Sequence, residues 1–123
     1  AAIQEYQALR EKELARIRGL LAGLRGAEVA IFGCGEHTAY MAEEFMPELL
    51  AMHIRHVLTS NPASVGRQCL GRTVQHVNDV DTSGLGAVII SSYDSQEEMA
   101  EIAGPKAFKL YPKVAAYDTW KGA

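Results

Sequence analysis

The sequence is short of cysteine, of long apolar runs and of positive charge, and each shortage excludes a class of protein. Two Cys in 123 residues do not make a disulfide scaffold. Twelve basic and fifteen acidic residues give a net charge of -3, which disfavours nucleic acid held through its phosphates. No apolar run approaches the roughly 20 residues of a membrane-spanning helix, and the first residues lack the pattern of a secretory leader. We therefore expect a cytoplasmic protein that spans no membrane and binds no nucleic acid.

The composition is that of an ordinary globular domain, with 48% hydrophobic and 22% charged residues. Residues 1–26 are predicted to form a separate packing or association unit, a long amphipathic helix over residues 2–24. Apolar residues recur there at helical spacing from Ile3 to Leu24, and Gly26 suits a left-handed end. So long a helix on a small domain leaves apolar surface uncovered. We expect that surface to form a homodimer, or to join this domain to another domain of a parent protein.

Residues 27–123 alternate between strand and helix patterns. Helices are predicted at 37–46, with a break at Pro47, and from Ser95 to Ala103, where Glu98 completes a capping box. Residues 63–71 lack periodicity and are predicted to form a loop. Strands are predicted at 27–33, 53–59, 72–77, 87–91 and 108–111. This alternation predicts an α/β fold in which helices cover a parallel sheet of four to five strands.

The segment most informative about function is the glycine turn, defined as Gly33-Cys34-Gly35-Glu36-His37-Thr38. A buried strand enters it and a helix leaves it. Gly33 allows a tight turn, and Gly35 allows a ligand to approach the backbone closely. The helix start offers unpaired N–H groups and the positive end of its dipole, which suits a phosphate.

Two departures from the dinucleotide-binding fingerprint disfavour NAD. Thr38 stands where that fingerprint has a third glycine. Ser60 and Asn61 stand where it has an acidic residue for the ribose hydroxyls. Either side chain can form a hydrogen bond to a ligand, but neither provides the bidentate contact of a carboxylate.

Three residues at the end of another predicted strand are expected to line the same crevice. Ser91, Ser92 and Tyr93 lie at the end of the predicted strand 87–91, and ligands of open α/β sheets bind outside the carboxyl ends of the strands. The histidines do not have metal-ligand spacing, so we predict no metal site. Cys34 lies near a helix start with His37 close in sequence, but no third, orienting group can be named, so no catalytic residue is assigned.

The glycine turn also resembles the "GxGxH" opening of small Rossmann-like domains in sugar-modifying and polysaccharide-biosynthesis proteins. The resemblance covers residues 28–111 and includes Ser60-Asn61-Pro62, Gly66, Gly71, Val74 and the run 88–92. It implies a small Rossmann-like three-layer domain that binds a nucleotide or nucleotide-sugar.

Three functions follow as hypotheses. The first is a nucleotide- or nucleotide-sugar-binding domain with an accessory or regulatory role in sugar or polysaccharide metabolism. The second is a small NAD(P)-dependent oxidoreductase, or its cofactor-binding half. The third is a non-catalytic interaction module that dimerises through its long helix and whose site has decayed.

Overall fold

The computed structural model describes residues 2–112, with side chains from residue 4 onward. The last part of the predicted 27–123 unit, residues 113–123, lies outside this range. The helices are α1 (Ala2–Ala22), α2 (Glu36–Glu44), α3 (Met46–Leu50) and α4 (Gln96–Ala103). The strands are β1 (Glu28–Phe32), β2 (His53–Thr59), β3 (Gln68–Cys69), β4 (Arg72–Thr73), β5 (Gln75–His76), β6 (Ala87–Ile90) and β7 (Ala107–Phe108).

The core of the fold is a five-stranded sheet in the order β5-β2-β1-β6-β7. Every pairing in this sheet is parallel, so all its carboxyl ends lie along one edge. The expected α/β fold with a parallel sheet and a long N-terminal helix is confirmed. The central strands are apolar because both of their faces are covered.

Helices cover the two faces of the sheet unequally. One apolar cluster joins Ile31 and Ile89 of the sheet to Ile17 of α1 and to residues of α2 and α3. The other joins alternate residues of the same strands to α4, where Ala100 is buried. Side chains alternate between the faces of a strand, so each central strand contributes to both clusters.

The predicted helix boundaries need two corrections. The long helix ends at Ala22 rather than at residue 24. The predicted 37–46 helix breaks at Phe45, before Pro47, and Pro47 lies in the first turn of α3. A proline is tolerated there because the first N–H groups of a helix have no partner within it.

The predicted strand at 72–77 is wrong, because the chain splits it in two. Arg72–Thr73 pairs antiparallel with Gln68–Cys69, so the predicted loop over residues 63–71 contains a short strand. Gln75–His76 pairs instead with β2. The hairpin turns at Leu70 and Gly71, which both have positive φ. Such a turn fits the twist of a two-residue hairpin, but leucine rarely adopts it.

The last predicted strand, 108–111, is also wrong in extent, since β7 ends at Phe108. The main-chain N–H groups of Leu110 and Tyr111 donate to the side chain of Gln96 instead of to a strand. The predicted capping box is not formed either. Ser95 precedes α4, but its side chain makes no capping hydrogen bond.

The first half of α1 extends away from the core. Residues 4–13 are all exposed, and Leu14 is the first buried side chain of the helix. Within the described part of the chain, no helix is long and apolar enough to cross a membrane.

Candidate functional site

Three predicted segments meet at the carboxyl edge of the sheet. The glycine turn follows β1, Ser60 and Asn61 follow β2, and Ser91 follows β6. These three strands are neighbours, with β1 in the middle. After β1 the chain forms β2 on one side of it, and β6 later pairs with the other side of β1. A crevice is expected between the carboxyl ends of β1 and β6, at this switch in strand order.

Gly33 is required by the protein's own packing. Its φ is +127°, and a Cβ there would lie 2.5 Å from the carbonyl oxygen of Ser91. Its N–H donates to the carbonyl of Leu58 in β2, 2.8 Å away. A side chain would therefore push apart the ends of β1 and β6, so Gly33 serves the tight turn.

Gly35 has no such requirement. Its φ is -105°, and a Cβ there would meet nothing within 4 Å. It precedes α2 without a side-chain capping hydrogen bond, and both Gly35 and Glu36 are exposed. The first N–H groups of a helix have no intrahelical partner, so this uncapped end carries a partial positive charge. No neighbouring side chain fills the position that Gly35 leaves open.

Thr38 fills the place of the third glycine. It is 2% exposed, and its Oγ1 donates to the carbonyl oxygen of Gly33 at 2.9 Å. The same Oγ1 lies 2.7 Å from the buried Oγ of Ser91. A glycine there would leave those groups without this partner. The departure from the dinucleotide fingerprint therefore has a packing reason.

His37 is held between two hydroxyls. Its Nδ1 lies 2.9 Å from Ser91 Oγ, and its Nε2 lies 2.6 Å from the hydroxyl of Tyr111. Burial lowers the pKa of His37, so the ring is neutral near pH 7. Burial is also the main reason why the pKa of Tyr111 is raised to about 12. Both ring nitrogens of His37 already have partners within the protein.

The remaining predicted residues have local partners or lie at the rim. Asn61 Oδ1 accepts from the N–H of Ala63 at 3.0 Å, while Ser60 is exposed. Ser92 Oγ accepts from the N–H of Ser95 at 3.1 Å. These bonds define two turns, one after β2 and one after β6.

Tyr93 and Cys34 occupy different surroundings. Tyr93 is 49% exposed, and its ring packs edge-on against Tyr111 with 4.9 Å between centroids. Cys34 is a free, half-buried thiol that packs against the core cluster. Of the two, Tyr93 therefore offers the more accessible surface.

Three important residues were missed by the sequence analysis: Tyr111, Gln96 and Arg16. Gln96 is buried and bonds to the main chain of residues 110 and 111, while Arg16 donates to the carbonyl of Leu110 at 2.7 Å. A signal existed for Tyr111. A final parallel strand must deliver the residues that follow it to the carboxyl edge. Nothing in the sequence distinguishes Gln96 from an exposed helical glutamine.

Among residues 2–112, no group of three His, Cys, Asp or Glu side chains is arranged to hold a metal ion. No protein-family model matches the chain, and comparison with curated proteins finds no match. The functional assignment therefore depends on the geometry of the carboxyl edge.

Proposed function

We propose that the fold is Rossmann-like and that the domain binds the phosphates of a nucleotide or nucleotide-sugar at the glycine turn. Its role is accessory or regulatory, in sugar or polysaccharide metabolism. The strand order supports this proposal, because the turn lies at the carboxyl edge where the order reverses. The metabolic context comes from the resemblance of the GxGxH segment to such domains.

The contrast between the two glycines is the observation that carries the proposal. Gly33 is explained by the backbone of Ser91, which approaches it closely. Gly35 meets no neighbour, yet it stands at the uncapped start of α2. A glycine that packing does not require leaves room for a ligand to reach the N–H groups behind it.

Thermal unfolding tests the proposal directly. UDP, ADP, UDP-sugars, NADH and NADPH are added separately to the protein. A ligand present at 100 times its Kd stabilises the folded state by about 2.7 kcal/mol, which raises the Tm by several degrees. A shift with UDP or a UDP-sugar supports the proposal. No shift with any member of the panel contradicts it, and tight NADH binding with hydride transfer favours the oxidoreductase instead.

A pair of glycine variants locates the site. Gly35→Val should abolish the ligand-induced shift while the protein stays folded, because the side chain covers the helix start. Gly84→Val is the matched control, since a Cβ at Gly84 also meets nothing within 4 Å. If Gly35→Val binds as well as Gly84→Val, the ligand binds elsewhere.

The interaction module remains a second candidate because of α1. Tyr6 and Leu9 are 68% and 67% exposed on the part of the helix that extends from the core. We propose that they support a homodimer, which light scattering would detect. Replacing both with Glu should give a monomer, whereas Leu50→Glu, at another residue that is 76% exposed, should not. A wild-type monomer contradicts this candidate.

A further inference from the structure

A continuous series of hydrogen bonds joins the segment after β7 to the glycine turn. Tyr111 Oη lies 2.6 Å from His37 Nε2, and His37 Nδ1 lies 2.9 Å from Ser91 Oγ. Ser91 Oγ lies 2.7 Å from Thr38 Oγ1, which donates to the carbonyl of Gly33 at 2.9 Å. The series thus runs through four side chains, from Tyr111 to the carbonyl of Gly33.

The donors and acceptors along this series set its direction. The carbonyl of Gly33 only accepts, so it takes the single proton of Thr38. The Ser91 hydroxyl lies near two acceptors, Thr38 Oγ1 at 2.7 Å and Met41 Sδ at 3.4 Å. Its single proton goes to Thr38 because a thioether sulfur is the weaker acceptor, which leaves Ser91 to accept from His37 Nδ1.

The donor direction at Tyr111 follows from the protonation of His37. Neutral His37 carries its proton on Nδ1, so its Nε2 accepts from the hydroxyl of Tyr111. We call this series, from Tyr111 to Gly33, the directed chain.

Tyr111 lies in the segment that follows β7, residues 109–112, which we call the C-terminal segment; side chains of α4 and α1 hold it in place. The Gln96 side chain accepts from the N–H groups of residues 110 and 111 and donates to the carbonyl of Tyr111 at 2.7 Å. Leu110 is fully buried, and Arg16 donates to its carbonyl. The segment therefore presents the Tyr111 hydroxyl to His37 from a fixed point outside the glycine turn.

We propose that docking of the C-terminal segment regulates the ligand affinity of the glycine turn through the directed chain. With Tyr111 docked, the turn is held in the geometry described above. When Tyr111 leaves, His37 Nε2 loses its donor, and the constraint on Ser91 and Thr38 weakens. The apparent affinity of a ligand falls with the fraction of protein in the competent arrangement. The inference rests on the proposed function, since it assigns regulation to that same site.

The test is Tyr111→Phe, which removes only the hydroxyl, with the exposed Tyr6→Phe as the matched control. UDP binding is measured by calorimetry, and the ring nitrogens of His37 are followed by ¹⁵N NMR without ligand. Loss of a neutral hydrogen bond should weaken UDP binding about 2- to 10-fold. It should also shift the resonance of Nδ1, the ring nitrogen that faces Ser91 and that the removed hydroxyl does not contact, as expected if the change passes along the directed chain. Tyr6→Phe should change neither.

Gln96→Met is a second variant, because it removes three hydrogen bonds that hold residues 110 and 111 without altering the glycine turn or Tyr111 itself. It should weaken UDP binding in the same direction, and it keeps the test decisive if Tyr111→Phe does not fold. Unchanged UDP affinity in the folded variants, with wild-type protein binding UDP, overturns the regulation alone. Failure of wild-type protein to bind UDP and every other member of the panel overturns the proposed function, and the regulation with it.

Discussion

Replacing Gly33 with alanine tests the account of the turn between β1 and β6. The residue has φ +127°, which alanine adopts only under strain, and a new Cβ would lie 2.5 Å from the Ser91 carbonyl oxygen. The backbone strain costs about 1–3 kcal/mol, and forcing an extra methyl group into packed structure costs about 1–3 kcal/mol. We therefore expect Gly33→Ala to lower the free energy of unfolding by about 2–6 kcal/mol, a large part of the roughly 5–15 kcal/mol of a typical domain.

Urea denaturation followed by circular dichroism measures this loss. Gly35→Ala is the control, because its Cβ meets no atom and its φ is negative. That variant should be unchanged or up to about 1 kcal/mol more stable, since alanine restricts the unfolded chain. If Gly33→Ala stays within about 0.5 kcal/mol of wild type, the end of β6 moves aside freely and the packing role of Gly33 is wrong.

Three further results are expected. Burial lowers the pKa of His37 in the folded protein below its value in the unfolded chain, about 6.5. The free energy of unfolding should therefore be highest above about pH 6.5 and should decrease as pH falls towards the folded-state pKa, because the unfolded chain takes up the proton first. Urea titrations at several pH values should show this pH dependence in wild type, with a slope of at most about 1.4 kcal/mol per pH unit. The exposed-site control His53→Gln should keep the slope, and His37→Gln should lose it. Gln96→Ala should lower the free energy of unfolding by about 2–4 kcal/mol, because it leaves two main-chain N–H groups without their partner. The exposed control Gln7→Ala should have almost no effect, and equal stabilities of the two variants would contradict the role of Gln96. Glu36→Gln should tighten UDP binding about 2- to 5-fold by calorimetry, because it removes a negative charge beside the proposed phosphate position; weaker binding would mean that Glu36 contacts the ligand.

The centre of the fold was predictable because its signals are local. The predicted strand 53–59 has the bounds of β2, and the runs 27–33 and 87–91 contain β1 and β6. A short apolar run between turn residues indicates a buried strand whatever its partner. The turn at Gly33 was predictable for the same reason, since the strand, the glycine and the helix follow one another directly.

The edge of the fold was not predictable from such signals. Strands of two residues, such as β3 and β4, carry too little pattern, and their pairing depends on a turn in which Leu70 has φ +52°. Leucine gives no indication of that conformation. At the candidate site, the contacts of Tyr111 with His37 and of the C-terminal segment with Gln96 join residues 74 and about 15 positions apart, beyond the reach of any periodicity.

The amide of Gln96 has one further consequence for the chain that follows β7. All three of its bonds are to backbone atoms of residues 110 and 111, as a neighbouring strand would make them. Such recognition is indifferent to the amino acid that is bound. Substitutions at position 111 should therefore leave the path of the chain intact while changing the group delivered to the imidazole, so this one position can be varied to alter the chemistry at the sheet edge without redesigning the fold.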